Sequence, residues 1–142
     1  MDNIYFFKEE CQFDLRKLKK YKGWLNQLTK FYGYEITELN YIFCSDEFLY
    51  KINLDYLNHD TYTDIITFDL QEDKEQNNSI ESDIFISIDR VAENAKNLNI
   101  DFKEELARVM AHGLLHLIGF KDKSDEEKKE MRLAENKALE LL

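Results

Sequence analysis

The chain has 142 residues, of which 44% are hydrophobic, 34% charged and 13% aromatic. That is too apolar for a disordered chain, and it is the size of one domain whose single core needs no disulfide. The formal net charge of −10 argues against nonspecific binding to nucleic acid, which Lys and Arg drive, and no apolar run approaches the roughly 18 residues that span a bilayer.

The first ten residues, Met1 to Glu10, contain no basic region ahead of their short apolar stretch, so no signal peptide is expected and the cytoplasm is the predicted location. Cys11 and Cys44 lie outside any CxxC spacing and are expected as two reduced, buried thiols. Ile4 to Phe7 reads as a short strand. Asp14 to about Phe31 reads as one helix, with Leu15, Leu18, Leu25 and Leu28 at helical spacing and Gly33 as its stop. Its beginning holds Arg16, Lys17, Lys19, Lys20 and Lys22, either a solvated helix face or an electrostatic guide for a polyanion.

Glu35 to Cys44 is predicted as a strand, and Ser45 or Asp46 as the cap of a helix carrying Phe48, Leu49, Ile52 and Leu57. Asp64 to Leu70 and Asp83 to Ile88 are strand-like, and the polar stretch Gln71 to Ser79 between them suits a hairpin. Arg90 to Leu98 is a short helix. Asp101 opens the next, with Glu104 as a capping-box partner, and that helix ends at Gly119. Ser124 or Asp125 opens the last helix, whose first turn takes the acidic run Asp125, Glu126 and Glu127. The order βαβαββ followed by three helices predicts an α+β fold: one domain over residues 1–142, with a central mixed sheet of about four strands covered by helices.

The informative segment runs from His112 to Asp122, His-Gly-Leu-Leu-His-Leu-Ile-Gly-Phe-Lys-Asp. On a helix His112 and His116 share a face one turn apart. Gly119 allows a sharp turn, after which Asp122 can fold back as a third ligand. Two imidazoles and a carboxylate suit zinc, and three protein ligands leave a fourth position open, the catalytic arrangement. Gly113 inside the helix costs about 1 kcal/mol against alanine and asks for a reason such as close approach of another element. Zinc proteases carry Glu directly after the first His as general base; Gly113 occupies that position, which weakens a protease reading. Met110, Leu114 and Ile118 are expected in the core.

The same segment resembles the HGxLHLxGYDH signature of the YbeY-type endoribonucleases, the rRNA maturation factors. Asn53 with Thr63 to Phe68 looks like that family's N…TDVLSF segment, and Ser82 to Ser87 like its GDIxIS strand. The likeness covers roughly Asn53 to Leu142. It departs in three places. Asp122 stands where the family usually has a third His, which adds negative charge and should make a bound water less acidic. Leu57 stands where an Arg usually follows the Asn by four residues, and His59 nearby is a candidate to supply part of the missing polar function. Ser82 replaces the Gly of GDI, expected to be tolerable at a strand start.

The resemblance implies a metal-dependent endoribonuclease that cleaves single-stranded RNA in 16S rRNA maturation and ribosome quality control. His112, His116 and Asp122 would hold one Zn2+ ion, and Arg16, Lys17, Lys19 and Lys20 would track phosphates. Ribosomal RNA and the ribosome, or its small subunit, are the implied partners, with no membrane. Two other readings stay open. One is a metallohydrolase acting on a peptide or small molecule. The other is a noncatalytic ribosome-assembly factor, which the loss of Arg at position 57 favours. Asp64 is either a strand-edge residue or a wall of the active cleft.

Overall fold

Alternating apolar residues set the sheet. The computed structural model describes residues 3–57, 63–71 and 78–142, so His59 and most of the expected polar loop lie outside the described residues. The strands are β1 (Ile4–Glu9), β2 (Glu35–Cys44), β3 (Ile65–Asp69) and β4 (Ser79–Ser87). They form one sheet in the order β1-β2-β4-β3, parallel from β1 through β2 to β4 and antiparallel between β3 and β4. This is the mixed four-stranded α+β sheet the sequence predicted, with β3 and β4 antiparallel as a hairpin requires. Between the strands and after them come α1 (Tyr21–Phe31), α2 (Asp46–Leu57), α3 (Ile88–Leu98), α4 (Phe102–Ile118) and α5 (Asp125–Glu140).

One face of the sheet presents Leu39, Tyr41 and Phe43 of β2 with Ile84 and Ile86 of β4, all fully buried. They pack against Leu25 and Leu28 of α1 and Leu106, Met110 and Leu114 of α4. Two polar atoms inside this core are paired with backbone, as burial demands: the Tyr41 hydroxyl donates to the Met110 carbonyl at 2.9 Å, and the Trp24 indole N–H donates to Ala138 of α5 at 2.8 Å. The other face carries a smaller cluster in which Leu49 and Ile52 of α2 cover Cys44 and Ile66. Arg90 of α3 ties α2 in place, its guanidinium 2.8 Å from Asp46.

Several local expectations are corrected. The single helix from Asp14 to Phe31 is broken into a 3-10 turn, Leu15–Leu18, followed by α1. The Asp14 carboxylate accepts from the Arg16 backbone N–H and from its guanidinium, and such local bonding competes with a regular helix. Leu15, Leu18 and Tyr21 also recur every three residues, the repeat that a 3-10 turn aligns, and Leu18 and Tyr21 are buried. Asp101 precedes α4 but makes no side-chain cap bond; the Glu104 and Glu105 N–H groups close on its backbone carbonyl instead. The capping box forms instead at α5, where Ser124 Oγ accepts from the Glu127 N–H and the Glu127 carboxylate accepts from the Ser124 N–H. Ser82 lies within β4 rather than at its start; it is fully buried and donates to the Phe68 carbonyl at 2.7 Å. Cys44 is buried but Cys11 is only half-buried. Met110 and Leu114 are core residues, whereas Ile118 is half-buried near the helix end.

Candidate metal centre

The cleft follows from the helical repeat of α4. Leu106, Met110 and Leu114 point into the core, while Glu105, Arg108, His112 and His116, spaced three and four apart, form a polar stripe on another face. That stripe is the floor of a cleft of about 410 Å³. Thr63, Asp64 and Thr67, at and around the start of β3, form one wall; Asp122, Arg132 and Glu135 form the other. Gly113 has the structural reason its position demanded. A Cβ there would lie 2.8 Å from Ile65 Cδ1 and 3.2 Å from Ile84 Cδ1, so the missing side chain lets α4 seat directly on β3 and β4.

The turn after α4 delivers Asp122. Gly119 has φ +127°, and its N–H closes on the carbonyls of Leu115 and His116. Phe120 then packs edge-on against Tyr32 at 5.4 Å, in a cluster with Leu115, Met131 and Ala134. Between that anchor and the Ser124 cap the chain is short, and Asp122 turns back toward His112: Oδ2 lies 3.3 Å from Nε2. Two zinc ligands on arms of about 2.0–2.1 Å at the tetrahedral angle sit about 3.3–3.4 Å apart. The spacing is also longer than the usual hydrogen-bond range of about 2.7–3.2 Å. The His112–Asp122 spacing is compatible with two ligands of one ion. His116 lines the same cleft and is exposed. Among the described residues no three His, Cys, Asp or Glu side chains are grouped closely enough to hold a metal ion; His116 shares the cleft but does not meet the His112–Asp122 pair. The donor chemistry, two imidazoles and a carboxylate, suits zinc.

The other nitrogen of His112 is occupied. Nδ1 lies 2.7 Å from Glu135 Oε2, and Glu135 Oε1 accepts from Arg108 Nη1 at 3.0 Å. Arg132 Nη1 is 3.7 Å from the same oxygen, yet its side chain stays 58% exposed. Hydrogen bonding to Glu135 raises the His112 pKa against the opposing effect of burial, with Asp122 and Asp64 adding to the rise. Burial pushes the Glu135 carboxyl up, but the hydrogen bonds from His112 and Arg108 hold it below the ordinary carboxylate range. Burial raises the carboxyls of Asp64 and Glu105, the latter also through repulsion from Asp64. Glu105 is 6% exposed and its Oε1 has no hydrogen-bond partner.

The structure thus brings His112, His116 and Asp122 to one cleft and sets Asp64 in its wall. Leu57, at the end of α2, is not among the residues lining it. Arg16, Lys17, Lys19 and Lys20 stand elsewhere, around a groove of about 760 Å³ floored by Phe13, Leu18, Tyr21, Phe102 and Leu106. The groove touches the N-terminal end of α4. From Lys103 to His112 is about 14 Å at 1.5 Å per residue. Sequence reasoning missed Glu105, Arg108, Arg132 and Glu135. A signal existed: Glu135 falls among the buried positions Met131, Ala134 and Ala138 of α5, where an acid without a partner would be costly.

Comparison with known proteins gives concordant results. The YbeY family profile, described as endoribonuclease YbeY, matches residues 3–142. The endoribonuclease YbeY of Cytophaga hutchinsonii is 54% identical over 140 residues, covering 99% of this chain and 96% of its own. That of Flavobacterium johnsoniae is 47% identical over 133 residues, covering 94% and 93%. A Thermotoga maritima protein solved in solution superposes with a TM-score of 0.71 at 28% identity, covering 97% of this chain and 87% of that one.

Proposed function

Because the chain belongs to the YbeY family, matched along residues 3–142, we propose that it is a metal-dependent endoribonuclease, a hydrolase that cuts single-stranded RNA during ribosomal RNA processing. The observation that carries the metal-dependent reading is the His112–Asp122 pair at 3.3 Å, set in a cleft that also holds His116. His112 Nε2, His116 and Asp122 would hold one zinc ion. When bound there, zinc supplies Lewis acidity toward a phosphoryl oxygen and lowers the pKa of water toward about 7.

The remaining chemistry belongs to the chain's own side chains. Asp64 faces the cleft with a carboxyl raised by burial, which suits a group that exchanges a proton with substrate or water. Arg132 offers a largely exposed guanidinium at the cleft wall; it can pair with a phosphate and compensate for Leu57, where the family usually has Arg. The cleft itself is rich in carboxylates, so further strand affinity is needed from outside it. Arg16, Lys17, Lys19 and Lys20 are the densest cations in the sequence and would track phosphates flanking the cut. Arg16 contributes least, since Asp14 already pairs with it at 3.0 Å. No helix among the described residues is long and apolar enough to cross a membrane. The family reading would place the work in the cytoplasm, on the ribosome or its small subunit.

The test is cleavage of a single-stranded RNA by zinc-loaded protein and by His116→Ala. Loss of cleavage in a folded H116A protein supports the reading. Undiminished cleavage by metal-free H116A would refute it and favour contaminating nuclease with a noncatalytic role for this protein.

A further inference from the structure

Glu135 poses a physical question that ligand counting does not answer. It is 6% exposed on the face of α5 that docks against the body of the protein, where alanine or leucine would pack without desolvating a charge. Both of its oxygens are engaged, and by residues of one helix. Arg108 Nη1 holds Oε1 at 3.0 Å, and His112 Nδ1 holds Oε2 at 2.7 Å. Arg108 and His112 are four apart on α4, so clamp and ring rise from the same face.

We propose that Glu135 is a positioning residue of the metal centre: its carboxylate, fixed by Arg108, holds the His112 ring with the proton on Nδ1, so that Nε2 presents its lone pair beside Asp122. An ionised carboxylate can only accept, so the bond places a proton on Nδ1 and excludes the ring protonated on Nε2 alone. The same bond fixes the ring plane and directs Nε2 to the 3.3 Å approach with Oδ2 of Asp122. Outer carboxylates of this kind orient metal-binding imidazoles and raise their basicity as ligands. The arrangement makes α5 part of the site although it contributes no ligand. It also gives Arg108 a purpose: without its charge a buried carboxylate would stand opposite Asp122 and Asp64 with the imidazole and the more distant, largely exposed Arg132 to balance it.

The proposal rests on the metal-site reading above, and the experiment separates the two. Zinc affinity is measured by competition with a chromophoric chelator on full-length wild type and Glu135→Gln, with circular dichroism of the zinc-free proteins as the fold control. The dissociation constant of E135Q is expected to rise about 10–100-fold. Wild-type affinity in a folded E135Q protein would overturn the positioning role while leaving the metal site standing; no zinc binding by wild type would overturn the metal site, and this role with it. Nitrogen-15 NMR of His112 in the zinc-free wild type, at a pH where the ring is neutral, decides the matter even if E135Q does not fold. The expected signature is a proton on Nδ1, held by Glu135, a tautomer that simple packing by Glu135 would not enforce. A neutral ring protonated on Nε2 would refute the proposal.

Discussion

Replacing Gly113 by alanine sets two effects of known size against each other. A glycine within a helix costs about 1 kcal/mol relative to alanine, so G113A should stabilise α4 by that amount if the new methyl meets nothing. It does not meet empty space. The Cβ would lie 2.8 Å from Ile65 Cδ1 and 3.2 and 3.3 Å from Cδ1 and Cγ2 of Ile84. The Ile65 methyl ends a half-buried side chain and can yield. Ile84 is fully buried between sheet and helix and yields only by moving α4. Overpacking of this sort costs about 1–3 kcal/mol, which outweighs the helix gain and leaves a net loss of about 1 kcal/mol. Thermal unfolding should show Tm lowered by roughly 3 °C for a chain of this length. Ile65→Val removes the methyl at 2.8 Å, so G113A should cost less in an I65V background than alone, with a coupling of at least about 0.5 kcal/mol. A rise in Tm for G113A alone, or strict additivity of the two substitutions, would show that helix propensity governs position 113 and that the close approach is not what the glycine serves.

Three further outcomes follow from features away from that contact. Replacing Lys17, Lys19 and Lys20 together by alanine should leave stability nearly unchanged, since all three are exposed, but weaken RNA binding. The slope of log affinity against log salt should flatten by about 0.7 per lost phosphate contact; an unchanged slope in filter binding would remove the basic patch from the RNA path. Ser124→Ala breaks the capping box of α5 and should cost about 1 kcal/mol in urea unfolding, with no loss refuting a role for the cap. Burial pushes the Cys44 thiol up to about 12, so a thiol reagent at pH 8 should label one group per native chain, the half-buried Cys11, and two after denaturation; two in the native state would contradict the burial of Cys44.

Reading the sequence succeeded where one periodicity dominated. The alternation in Glu35 to Cys44 and the β-branched run around Ile84 and Ile86 left little choice but strands, and the four-residue spacing of His112 and His116 needed no tertiary knowledge. It failed where local side-chain bonding overrode the pattern. Asp14 accepting from Arg16 interrupts a stretch whose leucines also satisfy a helix, and the capping box moved from Asp101 to Ser124 because only Ser124 has its oxygen turned to the backbone. Glu135 and Arg108 were out of reach for a different reason. Each looks like an ordinary charged residue on an amphipathic helix, and their meeting, 27 positions apart, depends on how α5 lies on α4. Asp64, left between a strand edge and a cleft wall, is placed in the wall by the approach of β3 to α4 that Gly113 allows.

The indole of Trp24 carries a practical consequence. It is the single tryptophan of the chain, 5% exposed, and its ring N–H donates to Ala138, one turn beyond Glu135 on the same helix. The protein therefore has a native optical reporter at the joint between its first helix and its last. Any departure of the C-terminal helix breaks this bond and exposes the ring to water, shifting its emission to longer wavelength. A fluorescence trace can thus follow the seating of that helix in real time, without a dye or an added label.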